Sequence, residues 1–230
     1  MLFFVLMQDL FFGQNVLVFF CEVCMIFEYG KKELTYLKKR DKELGKFIAV
    51  RGMIEREVEP NIFLALIQHI IAQQINGKTA QKIYQRVCTL CDNGLTERAI
   101  LALDTAALQA CGMSERKAQN IQAAAQFFSA KNITSLYLTE KSDEEIIQEL
   151  TQLPGVGVWT VEMLLLFSLQ RKNILSYGDF GIKKGLCLLH GLEKIDKRTF
   201  MAFKEQYSPY ASIASLYLWE IANTNLMGTK

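Results

Sequence analysis

The stretch Leu153-Pro154-Gly155-Val156-Gly157 constrains this chain more than any other, because it must join two helices through a turn that favours glycine. Upstream, Ser142 and Glu145 have the spacing of a capping box, and Ile146, Ile147 and Leu150 supply an apolar helical stripe that Pro154 ends. Downstream, Trp159 to Leu169 is apolar and free of breakers, the pattern of a buried helix. The glycines permit positive φ and close approach of another backbone. A helix starting directly after such a turn offers unpaired N–H groups and the positive end of its dipole, both of which attract a phosphate. Gly-x-Gly alone is equally an ordinary turn between helices; the proline before it and the helix after it favour the anion-binding reading.

The rest of the chain reads as helix too. Only three prolines occur in 230 residues, and runs such as Phe63, Leu64, Leu66, Ile67, Ile70 and Ile71 fit a helical period better than alternation. Ser114 is placed to cap a helix over 115–129. Apart from short strands near the N-terminus, no strand pair is expected, so the fold class is all-α. The net charge of +2 does not by itself indicate a nucleic-acid partner. Between Gly155 and Lys204, however, eight basic residues face four acidic ones, which fits a modest phosphate-facing surface. Cys21-x-x-Cys24 and Cys88-x-x-Cys91 have the spacing of zinc ligands, but one pair lies in an aromatic run and Cys88 on a helix, so no metal site is expected. His69 and His190 are isolated and suit packing or helix-end roles. Residues 1–24 lack a basic leader, and their longest uncharged run, Leu10 to Cys21, is short for a membrane span. They read as an extension of doubtful origin, with Met25 as an alternative start.

Four segments in order carry a family resemblance. Leu153 to Leu186 (LPGVGVWTVEMLLLFSLQRKNILSYGDFGIKKGL) is similar to the signature of the helix-hairpin-helix base-excision DNA glycosylases, within which it resembles the 3-methyladenine DNA glycosylase II branch. Ile67 to Ala80 (IQHIIAQQINGKTA) resembles the family's Gln-Gln helix and loop, and Gly112 to Ala118 (GMSERKA) its Gly-Leu-Ser-x-x-Lys-Ala segment. Tyr207 to Glu220 (YSPYASIASLYLWE) resembles the closing Trp-rich helix. The likeness runs from about Met25 to the C-terminus. It implies two helical subdomains flanking a DNA-binding cleft, with 25–61 plus 190–230 forming the terminal one. The central one would be 62–189, containing the hairpin (143–169) and the catalytic segment (174–186).

The resemblance also assigns roles. Asp179 matches the catalytic aspartate, whose carboxylate would stabilise positive charge on a sugar losing its base; read alone, it is equally an N-cap of the following helix. Trp159 stands where bifunctional relatives carry a Schiff-base lysine, which implies hydrolysis without strand cleavage; its face could stack on a cationic methylated purine, or simply pack at a helix start. Met163 and Tyr177 complete the expected base pocket. Gln73, Gln74 and Asn76 correspond to the loop that fills the gap left by a flipped base, with Gln74 as the plug; a helix end and solvated loop is the plain alternative. Gly155, Val156, Gly157 and Thr160 would hold the DNA backbone. Two departures stand out: Asn76 where the family commonly has Ser, and Ile174 to Gly178, which lacks a proline and a first acid often found there. The four-cysteine iron–sulfur loop of the endonuclease III branch is missing, only Cys187 occurring after the catalytic segment.

The expectation is therefore a monomeric enzyme that excises alkylated bases from damaged double-stranded DNA by base flipping. No cofactor is required, although a monovalent cation at the hairpin carbonyls of Leu153, Val156 and Val158 is a family feature, and no membrane partner is expected. The implied location is the bacterial cytoplasm, at the nucleoid. A bifunctional glycosylase/lyase for oxidised bases and a non-catalytic DNA-binding module are the competing readings.

Overall fold

Helix starts in this chain are set by short polar side chains that accept a hydrogen bond from the first turn. Asp41, Asn61, Asn76, Ser114, Ser142, Asp179 and Asp196 all do so. The Ser142–Glu145 box closes in both directions, with Glu145 N donating to Ser142 Oγ at 3.2 Å and Ser142 N donating to Glu145 Oε2 at 2.8 Å. The computed structural model describes residues 25–92 and 94–223. Two short strands, β1 (Met25–Ile26) and β2 (Glu57–Val58), pair antiparallel and bracket α1 (Lys31–Arg40) and α2 (Lys42–Arg51). There follow α3 (Ile62–Ala72), α4 (Gly77–Leu90), α5 (Glu97–Leu101), α6 (Thr105–Ala110), α7 (Glu115–Lys131), α8 (Ser135–Thr139) and α9 (Asp143–Leu150). The last four are α10 (Val158–Phe167), α11 (Phe180–His190), α12 (Lys197–Tyr207) and α13 (Ala211–Asn223). No helix among the described residues is long and apolar enough to cross a membrane.

Burial identifies the two central helices. Leu66, Ile67, Ile70 and Ile71 of α3 are fully buried, and α3 packs against α4, α7 and α10. Ile213, Ala214, Tyr217 and Leu218 of α13 are also fully buried, and α13 packs chiefly on α11 and also on α1, α2 and α12. The α11–α13 contact is close enough that a Cβ on Gly185 would lie 2.2 Å from Leu218 O, which only glycine avoids. By packing, α11 sides with α13 and α2.

Helix ends differ slightly from the pattern. The apolar helix spans Val158–Phe167 rather than Trp159 to Leu169, because Leu169 N and Arg171 N bond back to Leu164 O and Leu165 O and turn the chain away. Helix α7 runs to Lys131, two residues beyond Ser129, and closes on Asn132 in the left-handed region.

Candidate active site

Three pieces of backbone line two cavities that share His69 and Trp159, the first two pieces one cavity and the third the other. The first is the turn between α9 and α10. Gly155 adopts φ +77, and a Cβ there would lie 2.2 Å from Asn120 Nδ2, so both conformation and space demand glycine. Leu153 and Val156 are buried and pin the turn from inside. Gly157 caps α10 without a side chain, so the N–H groups of Val158, Trp159 and Thr160 have no intrahelical acceptor. The Val156 and Thr160 side chains are buried, so Thr160 can offer a phosphate only its backbone N–H, while the Val156 N–H is given to Leu153 O.

The second piece is the loop after α3. Gln73 Nε2 donates to Gly155 O at 2.8 Å, tying this loop to the hairpin. Gln74 takes φ +60 and is exposed, a strained conformation for a residue with a side chain. Asn76 does not point its amide oxygen outward: that atom caps α4, accepting from Thr79 N at 2.9 Å.

The third piece is the start of α11. Asp179 is 8% exposed and caps the helix, with Oδ1 accepting from Ile182 N at 2.8 Å. The same Oδ1 accepts from Trp219 Nε1 at 2.9 Å, while Oδ2 accepts from Trp159 Nε1 at 2.8 Å. A carboxylate has about four lone-pair sites. Oδ1 is therefore saturated, and Oδ2 keeps one lone pair for another partner. Both tryptophans of the chain thus serve one carboxylate. Trp219 reaches it because residue 181 is glycine; a Cβ there would lie 2.7 Å from the indole Cδ1.

With this geometry in place, comparison with known proteins is informative. Residues 67–209 match the model of the HhH-GPD superfamily base excision DNA repair proteins. The chain belongs to that superfamily. DNA-3-methyladenine glycosylase 1 of Schizosaccharomyces pombe is 33% identical over 187 residues, covering 80% of this chain and 80% of that relative. The crystal structure of DNA-3-methyladenine glycosidase from Bacillus halodurans superposes with a TM-score of 0.79 at 30% identity, over 88% of this chain and 94% of that one. A Schizosaccharomyces pombe 3-methyladenine DNA glycosylase in complex with abasic DNA gives 0.76 at 31% identity, over 87% and 100%.

In this HhH-GPD protein, Asp179 opens onto a cleft of about 630 Å³ whose walls include Trp159, Met163, Phe167, Trp219 and His69. Phe167 stacks on Trp219 with ring centres 5.6 Å apart, and His69 meets Trp159 edge-on at 6.0 Å. Burial pushes the His69 pKa down, so the imidazole is neutral near pH 7 and adds no cation to this wall. The cleft is also rich in acids. Glu55, Glu57, Glu59 and Glu220 line it against two arginines, of which Arg51 is bound to Glu220 at 2.7 Å and Arg56 lies over the Phe167 ring at 5.1 Å. Behind the cleft, Glu162 is hydrogen-bonded to Ser176, and burial raises its pKa, with Asp179 adding to the effect while Ser176 and Lys204 oppose it.

Tyr177 is a correction. Its ring packs edge-on against Phe200 at 5.1 Å, with Lys183 Nζ 5.0 Å from its centre, and it is not among the residues lining this cleft. The chain turns at Gly178, which places neighbours in sequence on opposite sides. Trp159 lines the cleft with its ring 40% exposed, and its N–H is committed to Asp179. Trp219 and Phe167 were missed, and His69, read as a packing or helix-end residue, also lines the cleft. Only Trp219 carried a signal, as one of two tryptophans and part of the resembling C-terminal helix. Of the cysteine pairs, Cys21 and Cys24 lie outside the described residues, while Cys88 and Cys91 sit at the end of α4.

Proposed function

We propose that this chain is a monofunctional DNA glycosylase that hydrolyses the N-glycosidic bond of alkylated bases, 3-methyladenine among them, in the first step of base excision repair. One observation carries the reading: fixed donors fill three of the four lone-pair sites of Asp179, and the fourth, on Oδ2, remains beside a cleft of the size that small-molecule sites use.

The reaction follows from these positions. A base cannot be attacked inside the duplex, so the nucleotide is extruded at a cost of a few kcal/mol. Gln74, exposed on its left-handed turn, fills the gap, while the N–H groups after Gly157 hold the strand by a phosphate. An alkylated purine already carries positive charge, so it leaves without being protonated. The sugar then becomes the cationic centre, and the Asp179 carboxylate stabilises it at a site whose donors need no reorganisation. The same oxygen can accept a proton from the attacking water. Trp159 has no amine and its nitrogen is engaged, so no imine forms and the strand stays uncut.

No cofactor enters this scheme. The Leu153 carbonyl accepts one N–H, from Val156 at 3.2 Å, and has a second lone pair. With the carbonyls of Val156 and Val158 it would hold a monovalent cation, adding positive charge at the phosphate. The partner is damaged double-stranded DNA, the working form a monomer, and the location the bacterial cytoplasm.

The test is a panel of duplexes carrying methylated, deaminated or oxidised bases, with borohydride added. The expected result is release of methylated bases, leaving an intact abasic strand and no covalent adduct. A borohydride-trapped adduct, or release of oxidised bases alone, would overturn the reading.

A further inference from the structure

The Gly112 to Ala118 segment has no part in the scheme above, yet α7, which begins there, touches both DNA-facing loops. Helix α3 ends at Ala72, whose carbonyl accepts from Ile75 N, and the carbonyls before it lack intrahelical partners, as at every helix end. Lys117 Nζ donates to Ile71 O at 2.8 Å and to Gln73 O at 2.7 Å, closing that end with a cation where the dipole is negative. Gln73, held through its backbone, passes its side-chain amide to Gly155 O. One helical step along α7, Asn120 is buried directly beneath Gly155. Lys117 is half-buried, and its pKa is lowered by that burial, so the ammonium is maintained at a desolvation cost.

We infer that Lys117 is a positioning residue for base flipping. It locks residues 73–76 to the hairpin through Gln73, so that the exposed Gln74 and the phosphate-holding turn act on the DNA as one rigid body. The inference rests on the glycosylase reading and adds a division of labour to it. Lys117 governs whether the flipped state is held open, and it has no share in breaking the bond, since two of its three donors go to Ile71 O and Gln73 O and it does not line the Asp179 cleft.

The test uses the full chain and single-turnover release of 3-methyladenine from two duplexes, one with the lesion opposite thymine and one opposite an abasic site, where flipping breaks no pair. Lys117→Met should release the paired lesion roughly tenfold more slowly, as expected when a positioned group shifts by about an ångström, and the unpaired lesion at nearly the wild-type rate. Lys117→Arg, which keeps two donors, should recover most of the loss. Lys117→Gln, with one donor reaching one carbonyl, serves if the Met variant does not fold. Equal loss on both duplexes, or no loss on either, would overturn the inference. A 2-aminopurine beside the lesion reports unstacking without any bond cleavage. It should brighten with the wild type and stay dim with Lys117→Met; equal brightening also overturns the inference. Wild-type protein that unstacks the reporter but releases no base would refute the glycosylase reading instead.

Discussion

Two aspartates in this molecule look alike in sequence and in burial, yet their surroundings suit them to different work. Asp41 and Asp179 are each less than a tenth exposed, and each caps a helix. Oδ1 of Asp41 accepts from Glu43 N and Leu44 N, both at 3.0 Å, and Oδ2 accepts from the Tyr207 hydroxyl at 2.7 Å with His190 Nε2 3.1 Å away. His190 Nε2 makes no hydrogen bond there, so three donors hold this carboxylate. Burial and the carboxylate raise the Tyr207 pKa, so the hydroxyl stays a donor. Asp179 also has three donors, but its open direction lies on a cleft between two indoles. Burial and capping therefore do not mark a reactive acid. An unfilled lone pair beside a cavity does.

The comparison can be broken most sharply at Asp179. Asp179→Asn keeps an N-cap residue and nearly the same volume, so the fold should survive while single-turnover excision falls by about 10²–10³-fold. Near-wild-type excision would remove Asp179 from the chemistry. Asp41→Ala should do the reverse. Thermal or urea unfolding should reveal a stability loss on the order of 3 kcal/mol, from the orphaned Tyr207 hydroxyl and the lost cap, with excision per folded molecule unchanged. A still smaller effect is expected at Trp219→Phe, which keeps the aromatic wall and removes one donor: roughly tenfold slower excision, with little change in unfolding midpoint.

The smallest expected effect concerns pH. The folded His69 pKa lies below its ordinary 6.5 because of burial. The stability associated with its neutral form is thus fully present above pH 6.5 and is lost as pH falls through the lower folded value. A stability–pH curve for His69→Gln should be flatter than wild type in that acidic window alone. Parallel curves there would show that the imidazole is protonated in the fold.

The sequence made these two aspartates hard to separate, and the reason is physical. Hairpin and caps depend on nearest neighbours, so Ser142 with Glu145, Ser114, and the Gly155 turn were legible from local chemistry. The family resemblance then placed Asp179 in the active centre. What surrounds Asp179 was not legible, because it is assembled by tertiary packing. Trp219 lies 40 residues away and arrives only because Gly181 and Gly185 let α13 settle on α11. His69 comes from α3 and meets Trp159 edge-on. Tyr177, two residues from Asp179, was misplaced for the converse reason: sequence proximity carries no direction past the bend at Gly178, and the ring found Phe200 instead. Asn76 was read as a DNA contact although Asn just before a helix start is a strong capping signal, and its side chain is used that way.

The central claim is electrostatic, and binding measures it without waiting for chemistry. Duplexes would carry, at the lesion site, either a pyrrolidine ring, cationic like the sugar during bond cleavage, or the neutral tetrahydrofuran ring of the same shape. Wild-type protein should prefer the cationic ring by roughly tenfold or more, and Asp179→Asn should bind both about equally. An undiminished preference in the variant would mean that some other group meets the sugar's charge, and the account given for Asp179 would be wrong.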